Sequence, residues 1–277
     1  MPPPLRSLLR ATPTDAGYQL AGVDARATPG VKSRKAAEAE LATDSDRLAT
    51  LQEQLYAMRE RSLLLVLQGL DTSGKDGTIK HVVGAVNPVG VRITSFGVPT
   101  KVERKHHFLW RIRKGVPVPG QIAVFNRSHY EDVGVVRVHE LVPPEAIERR
   151  YGEINRFEQR LADDGVVVVK CWLHISYEEQ RERLLARLAD PAKRWKFQEG
   201  DLAERARWAD YMSAYETAIA RCSTDAAPWY VIPADRKWYR NWAVARLLVE
   251  HLETLGLHYP DPLLDLDGLK TRLAPPG

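Results

Sequence analysis

The sequence predicts an α/β protein: a mainly parallel central sheet flanked by helices. Three observations predict it. Short, nearly continuous apolar runs without alternation occur at 62–68 and 166–175, the composition of strands covered on both faces. Stretches with apolar residues three and four apart alternate with the strand-like runs, as the crossover helices of a parallel sheet require. The first apolar run leads into a glycine-framed loop and then a helical pattern, the strand–loop–helix order of such a unit.

Taken in order, residues 1–33 are rich in Pro, Gly, Ala and Thr and only weakly periodic, which predicts an arm rather than a domain. Between 35 and 59, Leu41, Leu48, Leu51, Leu55 and Met58 fall at helical spacing with one face to bury. The run 62–68 is the first strand, and 75–86 a helix that stops before Asn87-Pro88. Strands follow at 91–96 and 121–125. Pro143-Pro144 opens a helix whose apolar face is Ile147, Tyr151, Ile154, Phe157 and Leu161. The strand 166–175 is the strongest in the chain, and Ser176 and Glu179 have capping-box spacing for the next helix. Residues 204–222 turn Trp208, Tyr211, Tyr215 and Ile219 inward, 229–232 is a last short strand, and 238–255 a last helix. No repeat or linker interrupts the series. One domain is predicted over 34–258, with a lid at 181–207 and a tail at 259–277.

Composition narrows the function classes. The 277 residues suffice for a large core, and at 44% hydrophobic and 27% charged they are those of a soluble globular protein. No apolar run reaches membrane-spanning length, and the N-terminal stretch lacks the apolar core of a signal peptide. Cys171 and Cys222 form neither a disulfide framework nor a metal spacing, so a reducing cytoplasm is the expected location. A net charge of +4 favours anionic partners: nucleic acid, nucleotides and inorganic polyanions all qualify.

Three constellations carry chemistry. Gly69-Leu70-Asp71-Thr72-Ser73-Gly74-Lys75 matches G-x-x-x-x-G-K between a strand and a helix, the context a phosphate-binding loop needs. Its backbone amides, with the helix start at Asp76, Gly77 and Thr78, would surround an anion, and Lys75 would add a positive charge. Asp76 stands where such loops usually carry Ser or Thr. It has two readings, a carboxylate favoured by the helix dipole or a ligand of Mg²⁺. For Asp71 the metal reading is preferred, because phosphoryl transfer needs a cation bridging phosphate oxygens.

The second constellation, Phe125-Asn126-Arg127-Ser128-His129-Tyr130-Glu131-Asp132, follows the C-terminal end of a strand, where open α/β sheets place ligands. Arg127 has the fork geometry for phosphate oxygens, and Glu131 and Asp132 supply carboxylates. The third is the basic segment 181–207. There Lys193, Arg194 and Lys196, beside Pro191 and Trp195, are read as a lid closing over phosphate, and the other basic residues as a solvated helix face. The basic stretch 101–114 and the scattered His106, His107, His129, His139 and His174 show no metal spacing, and no aromatic RNA-binding signature is present.

With these residues in view, the chain resembles the polyphosphate kinase 2 family. G-L-D-T-S-G-K-D-G, V-N-P-V-G, S-F-G-V-P-T, F-N-R-S-H-Y-E-D-V, R-W-K-F and A-P-W-Y-V-I-P-A occur in order between residues 35 and 255. The resemblance implies a P-loop kinase fold like thymidylate kinase, with a helical lid, and Mg²⁺-dependent transfer between inorganic polyphosphate and a nucleotide, Mn²⁺ being a substitute. Many members read F-D-R-S-W-Y-N-R at the second motif. F-N-R-S-H-Y-E-D is similar to the single-domain class III members that phosphorylate both AMP and ADP, and it moves the acid from position 126 to Glu131 and Asp132. The family's loop roles carry onto Asp71, Gly74, Lys75 and Asp76, and its lid basics onto Lys193 and Arg194. The expected catalytic set is Asp71, Lys75, Arg127 and Asp132. Thr72, Ser73, Gly77, Thr78 and Asn126 join the phosphate and nucleotide contacts, and Asp71, Glu131 and Asp132 are the metal carboxylates. The expected partners are polyphosphate and adenine nucleotides, with guanine nucleotides as further candidates, in a homo-oligomer away from membranes and nucleic acid. Two rivals stand: an ATP-dependent nucleotide kinase on the same fold, and a non-enzymatic polyanion binder.

Overall fold

Five strands fall where the apolar runs predict them: β1 (Ser62–Gln68), β2 (Val91–Ser95), β3 (Ile122–Asn126), β4 (Val166–His174) and β5 (Trp229–Pro233). In the computed structural model, which describes residues 3–262 and 264–273, they form one sheet of order β2-β3-β1-β4-β5 with every neighbouring pair parallel. The helices are α1 (Leu5–Leu9), α2 (Arg34–Met58), α3 (Lys75–Val82), α4 (Leu109–Arg113), α5 (Val135–Val138), α6 (Pro144–Asp163), α7 (Tyr177–Ala189), α8 (Gly200–Ala206), α9 (Trp208–Cys222), α10 (Lys237–Glu253) and α11 (Leu266–Arg272).

Strand β1 is central and wholly buried because both of its faces are covered. Leu63, Leu65 and Leu67 pack with Leu48, Leu51 and Leu55 of α2 and with Trp242 and Leu248 of α10. Leu64 and Val66 face the opposite layer, with Ile154 and Phe157 of α6 and Tyr215 of α9. Each such side chain contributes roughly 1.5–3 kcal/mol by leaving water, which is why alternation is missing from the run. Register sets Leu67 beside Asn126 and Gln68 beside Trp172. The loops after β1 and β3 therefore emerge side by side at the carboxyl end of the sheet, where this class of fold binds ligands.

Residues 3–33 are packed onto the body. Leu5, Leu9, Leu20 and Val31 are buried, the Ala11 amide donates to Trp229 O at 2.8 Å, and Glu250 accepts from the amides of Leu5 and Arg6. Spaced apolar anchors and main-chain bonds hold this segment, so it has no helical period to read. The stretch 204–222 divides at Arg207 into α8 and α9, and α3 ends at Val82 in a short 3-10 turn. At the start of α7 the Ser176 hydroxyl accepts from the Glu179 amide, as the capping spacing predicts.

Candidate active site

The glycine loop is shaped from behind. Gly69 has φ +156°, and a Cβ there would lie 2.6 Å from Ser73 Oγ and 2.8 Å from Leu173 O. Gly74 caps α3 at φ +104°, and a Cβ would overlap the Arg240 guanidinium. Arg183 of α7 donates through Nη1 to Thr72 O (2.8 Å) and Ser73 O (3.2 Å), and through Nη2 to Ala234 O and Asp235 O. Arg240 of α10 donates to Ser73 O at 3.3 Å. Burial, then the neighbouring Arg183 charge, lowers Arg240 to about 10. Because C=O and N–H oppose each other across a trans peptide, the Gly74 amide points away from this clamp. Gly74→Ala combines a left-handed backbone with that collision and is expected to cost about 2 kcal/mol or more, read as a lower urea midpoint.

Lys75 is buried in the loop's own curve, its Nζ donating to Gly69 O at 2.7 Å and Leu70 O at 3.3 Å. Burial lowers its pKa, opposed chiefly by Asp71. Thr72 adopts φ +64°, and the buried hydroxyls of Thr72 and Ser73 have no hydrogen-bond partner. Buried hydroxyls left free and a left-handed non-glycine residue are the features expected of a loop that receives a ligand.

The second motif meets this loop. Asn126 Nδ2 donates to Asp76 Oδ1 at 2.8 Å, and Arg127 Nη2 to Asp71 Oδ1 at 3.2 Å. Arg127 itself has φ +65°, with its amide on Leu67 O. Glu131 accepts from Gln68 Nε2 at 3.1 Å and lies 3.5 Å from the Tyr215 hydroxyl. Burial raises its pKa, with Arg127 and Lys75 pulling the other way. Asp132 stands between Arg150 (3.5 Å) and Arg111 (3.8 Å) and is likewise raised by burial, against the opposing pull of those two charges. The adjacent acids thus face different surroundings: Glu131 the lysine and arginine of the loop, Asp132 two arginines from α4 and α6.

Asp71, Arg127, Glu131 and Asp132 line a cavity of about 440 Å³. Val98, Pro99, Val135, Leu141, Trp208 and Tyr211 give it apolar walls. Charged side chains and apolar, partly aromatic walls in one cavity suit a ligand that joins phosphate to a flat organic group.

The basic residues of 181–207 divide by their contacts. Arg194 donates to Leu188 O and Ala189 O, closing the C-terminus of α7, and Lys193 pairs with Asp190 at 2.6 Å. Lys196, one turn on, places Nζ 3.8 Å from Asp76 Oδ2 at the loop mouth. Arg205 of α8 donates to Gln180 Oε1, and Gln180 Nε2 to Asp71 O, joining this segment to the phosphate loop. Gly77 and Thr78 lie in the first turn of α3, where Thr78 bonds back to Gly74 O at 3.2 Å. Sequence reasoning missed Arg183 and Arg240, whose loop partners lie more than a hundred residues away, and Arg111 and Arg150, which reach Asp132 from neighbouring helices.

Among the described residues no group of three or more His, Cys, Asp or Glu side chains is assembled to hold a metal ion. Magnesium does not require one, since it takes one or two carboxylates and completes its shell with water and phosphate oxygens. Asp71, 36% exposed at the loop mouth, fits that demand, and Glu131 faces the same loop.

Comparison with known proteins agrees with this geometry. Residues 31–258 match the family model described as polyphosphate kinase 2. A protein of Meiothermus ruber named AMP/ADP-polyphosphate phosphotransferase is 51% identical over 249 residues, covering 90% of this chain and 93% of the relative. One of Rhodopseudomonas palustris named ADP-polyphosphate phosphotransferase is 42% identical over 233 residues, 80% of this chain and 81% of the other. The crystal structure of polyphosphate kinase 2 from Arthrobacter aurescens TC1 superposes with a TM-score of 0.94 at 46% identity, covering 98% of this chain and 96% of that one.

Proposed function

The chain belongs to the polyphosphate kinase 2 family, and from that premise we propose that it transfers the terminal phosphoryl group of inorganic polyphosphate to AMP and ADP, reversibly, giving ADP and ATP. The observation that carries the reading is the junction of the two motifs: Arg127 on Asp71 and Asn126 on Asp76 bring a phosphate loop and a second anion-handling loop to one cavity. The relatives named above carry those substrates in their names.

In this reading Lys75 exchanges its two carbonyl bonds for oxygens of the polyphosphate end, and the loop amides hold that end in line with the acceptor. Arg127 spans the two phosphates. The acceptor phosphate is already ionised, so no strong base is needed, and rate comes from positioning and charge neutralisation. The apolar wall receives the nucleoside, guanine as well as adenine, and Lys196 with the lid shields the phosphates from water. Asp71 and Glu131 would hold Mg²⁺, directly or through water, with Asp132 orienting that loop through Arg111 and Arg150. When bound there, the ion would offset the negative charge of the phosphates during transfer. The cytoplasm belongs to the same proposal. It is where nucleotide acceptors are abundant, and Cys171 and Cys222 are free buried thiols. No described helix is long and apolar enough to cross a membrane.

The deciding experiment supplies AMP, Mg²⁺ and polyphosphate and no nucleoside triphosphate. ADP and then ATP should appear. Transfer only when ATP is the donor would establish the nucleotide-kinase reading, and no transfer at all would leave a polyanion binder. Asp71→Asn is expected to raise the Mg²⁺ concentration for half-maximal rate about tenfold, whereas Asp76→Asn, already bonded to Asn126, should leave it unchanged.

A further inference from the structure

A second cleft, of about 390 Å³, lies at the opposite end of the sheet, where the strands begin. Its floor is the start of β4. Pairing with β5 begins only at Lys170 opposite Trp229, so Val166 to Val169 have no β5 partner. Gly165 O accepts from the Ser62 amide on the β1 side, and strand alternation then turns the amides and carbonyls of Val166 and Val168 toward the cleft.

Its walls are basic on both sides. Arg61 folds over Gly165, where a Cβ would lie 3.5 Å from Arg61 Cδ and 3.9 Å from Nη1. Opposite stand Arg6 and Arg10, over Tyr230 and His251. His251 bonds the Tyr230 hydroxyl at 2.9 Å and is lowered to about 4 by burial and then by the Arg6 charge, so at neutral pH it adds no positive charge of its own. The one carboxylate of the lining, Asp225, is 98% exposed and pairs with Arg10. Glu250 is occupied by the amides of Leu5 and Arg6. Among the described residues no carboxylate lies within ion-pair distance of the Arg6 or Arg61 guanidinium, whereas the arginines of α2 that face solvent, Arg34 and Arg47, each have one. Two guanidinium forks without an ion-pair partner, facing one cleft, are matched by closely spaced phosphate oxygens. Tyr230 is 3% exposed and presents no face for a base to stack on, which disfavours a nucleotide.

We propose that this cleft is a second anion-binding site, holding a run of linked phosphates from the same inorganic polyphosphate chain whose end lies at the phosphate loop. The choice of ligand rests on the function proposed above. The nine residues of β4 separate the two ends of the sheet, roughly 30 Å at about 3.3 Å per residue. A short oligophosphate cannot reach both sites, whereas a long chain wrapped along the surface can, and the second contact then acts at high effective concentration.

The test is calorimetric titration of the full chain with inorganic tripolyphosphate in the presence of a chelator, beside steady-state kinetics with short and long donors. Wild type should bind at two sites per chain, and Arg6→Gln/Arg61→Gln at one. The control Arg34→Gln/Arg47→Gln, which removes the same charge elsewhere, should keep two. In the Arg6/Arg61 variant the KM for long chains should rise roughly tenfold, a modest share of the gain a linked second contact supplies, with kcat and the short-donor KM unchanged. A single site in wild type, two sites in the Arg6/Arg61 variant, or an unchanged long-chain KM overturns the proposal. Wild type that binds at two sites but transfers no phosphate would instead overturn the proposed function.

Discussion

Lys75→Ala is expected to lower turnover by about 10³-fold, the scale seen when a preorganised charge is removed from a phosphoryl or oxyanion site. The structure locates the reason. Lys75 is 8% exposed, its ammonium enclosed between Gly69 O and Leu70 O and near Asp71, Arg127 and Glu131. Burial lowers its pKa, so folding pays a desolvation cost that a phosphate ligand would repay. Removing the ammonium removes that cost too, and the variant's urea midpoint should stay at or above wild type. Turnover from single-substrate titrations with polyphosphate and ADP, beside an equilibrium urea curve, checks both halves. A variant keeping a tenth or more of wild-type turnover would remove Lys75 from the reaction.

The largest effect on stability is expected at Lys170→Met, about 3–5 kcal/mol, the usual result of stripping one partner from a buried ion pair. Lys170, on β4, is fully buried and donates to Glu158 Oε2 (2.6 Å), the Tyr130 hydroxyl (2.7 Å) and Cys222 O (2.7 Å). Glu158 Oε1 also takes the Tyr130 hydroxyl at 2.9 Å and lies 3.1 Å from His129 Nε2. Burial alone would raise the Glu158 pKa, but Lys170 and His129 outweigh it and hold the carboxyl below its ordinary value. A carboxyl depressed on folding contributes stability above its unfolded pKa and loses it as pH falls through the folded value. Wild type should therefore resist acid until the pH is below the usual glutamate range. Without Lys170 the buried carboxylate, left with Tyr130 and His129, titrates upward, and acid unfolding should begin at higher pH. Urea midpoints measured from pH 7 downward show the difference, and parallel curves for the two proteins would contradict it. Tyr130 and His129 sit between Arg127 and Glu131 in the chain, so the same network holds the second motif in place.

Much of the fold was legible because parallel strands covered on both faces must be apolar throughout. The runs 62–68 and 166–175 satisfied that demand directly, and β1 and β4 occupy them. The division of 204–222 at Arg207 was not legible, since Glu204 to Arg207 hold no proline or glycine to mark a break. Nor was Lys170, a lone lysine in a run of valines, which reads as an interruption until Glu158 is found opposite.

By itself, the sequence determined the α/β class, the strand positions and the phosphate loop, because burial periodicity and the glycine requirement are local and leave a local record. Only the tertiary structure decided which partners complete the site. Arg183 and Arg240 hold the loop from helices more than a hundred residues away in the chain. Glu131 and Asp132 are sequence neighbours, yet one faces Gln68 and Tyr215 and the other Arg111 and Arg150. A carboxylate's role is set by the charges and the burial around it, and those come from strand order and helix packing, which adjacency in the chain does not encode.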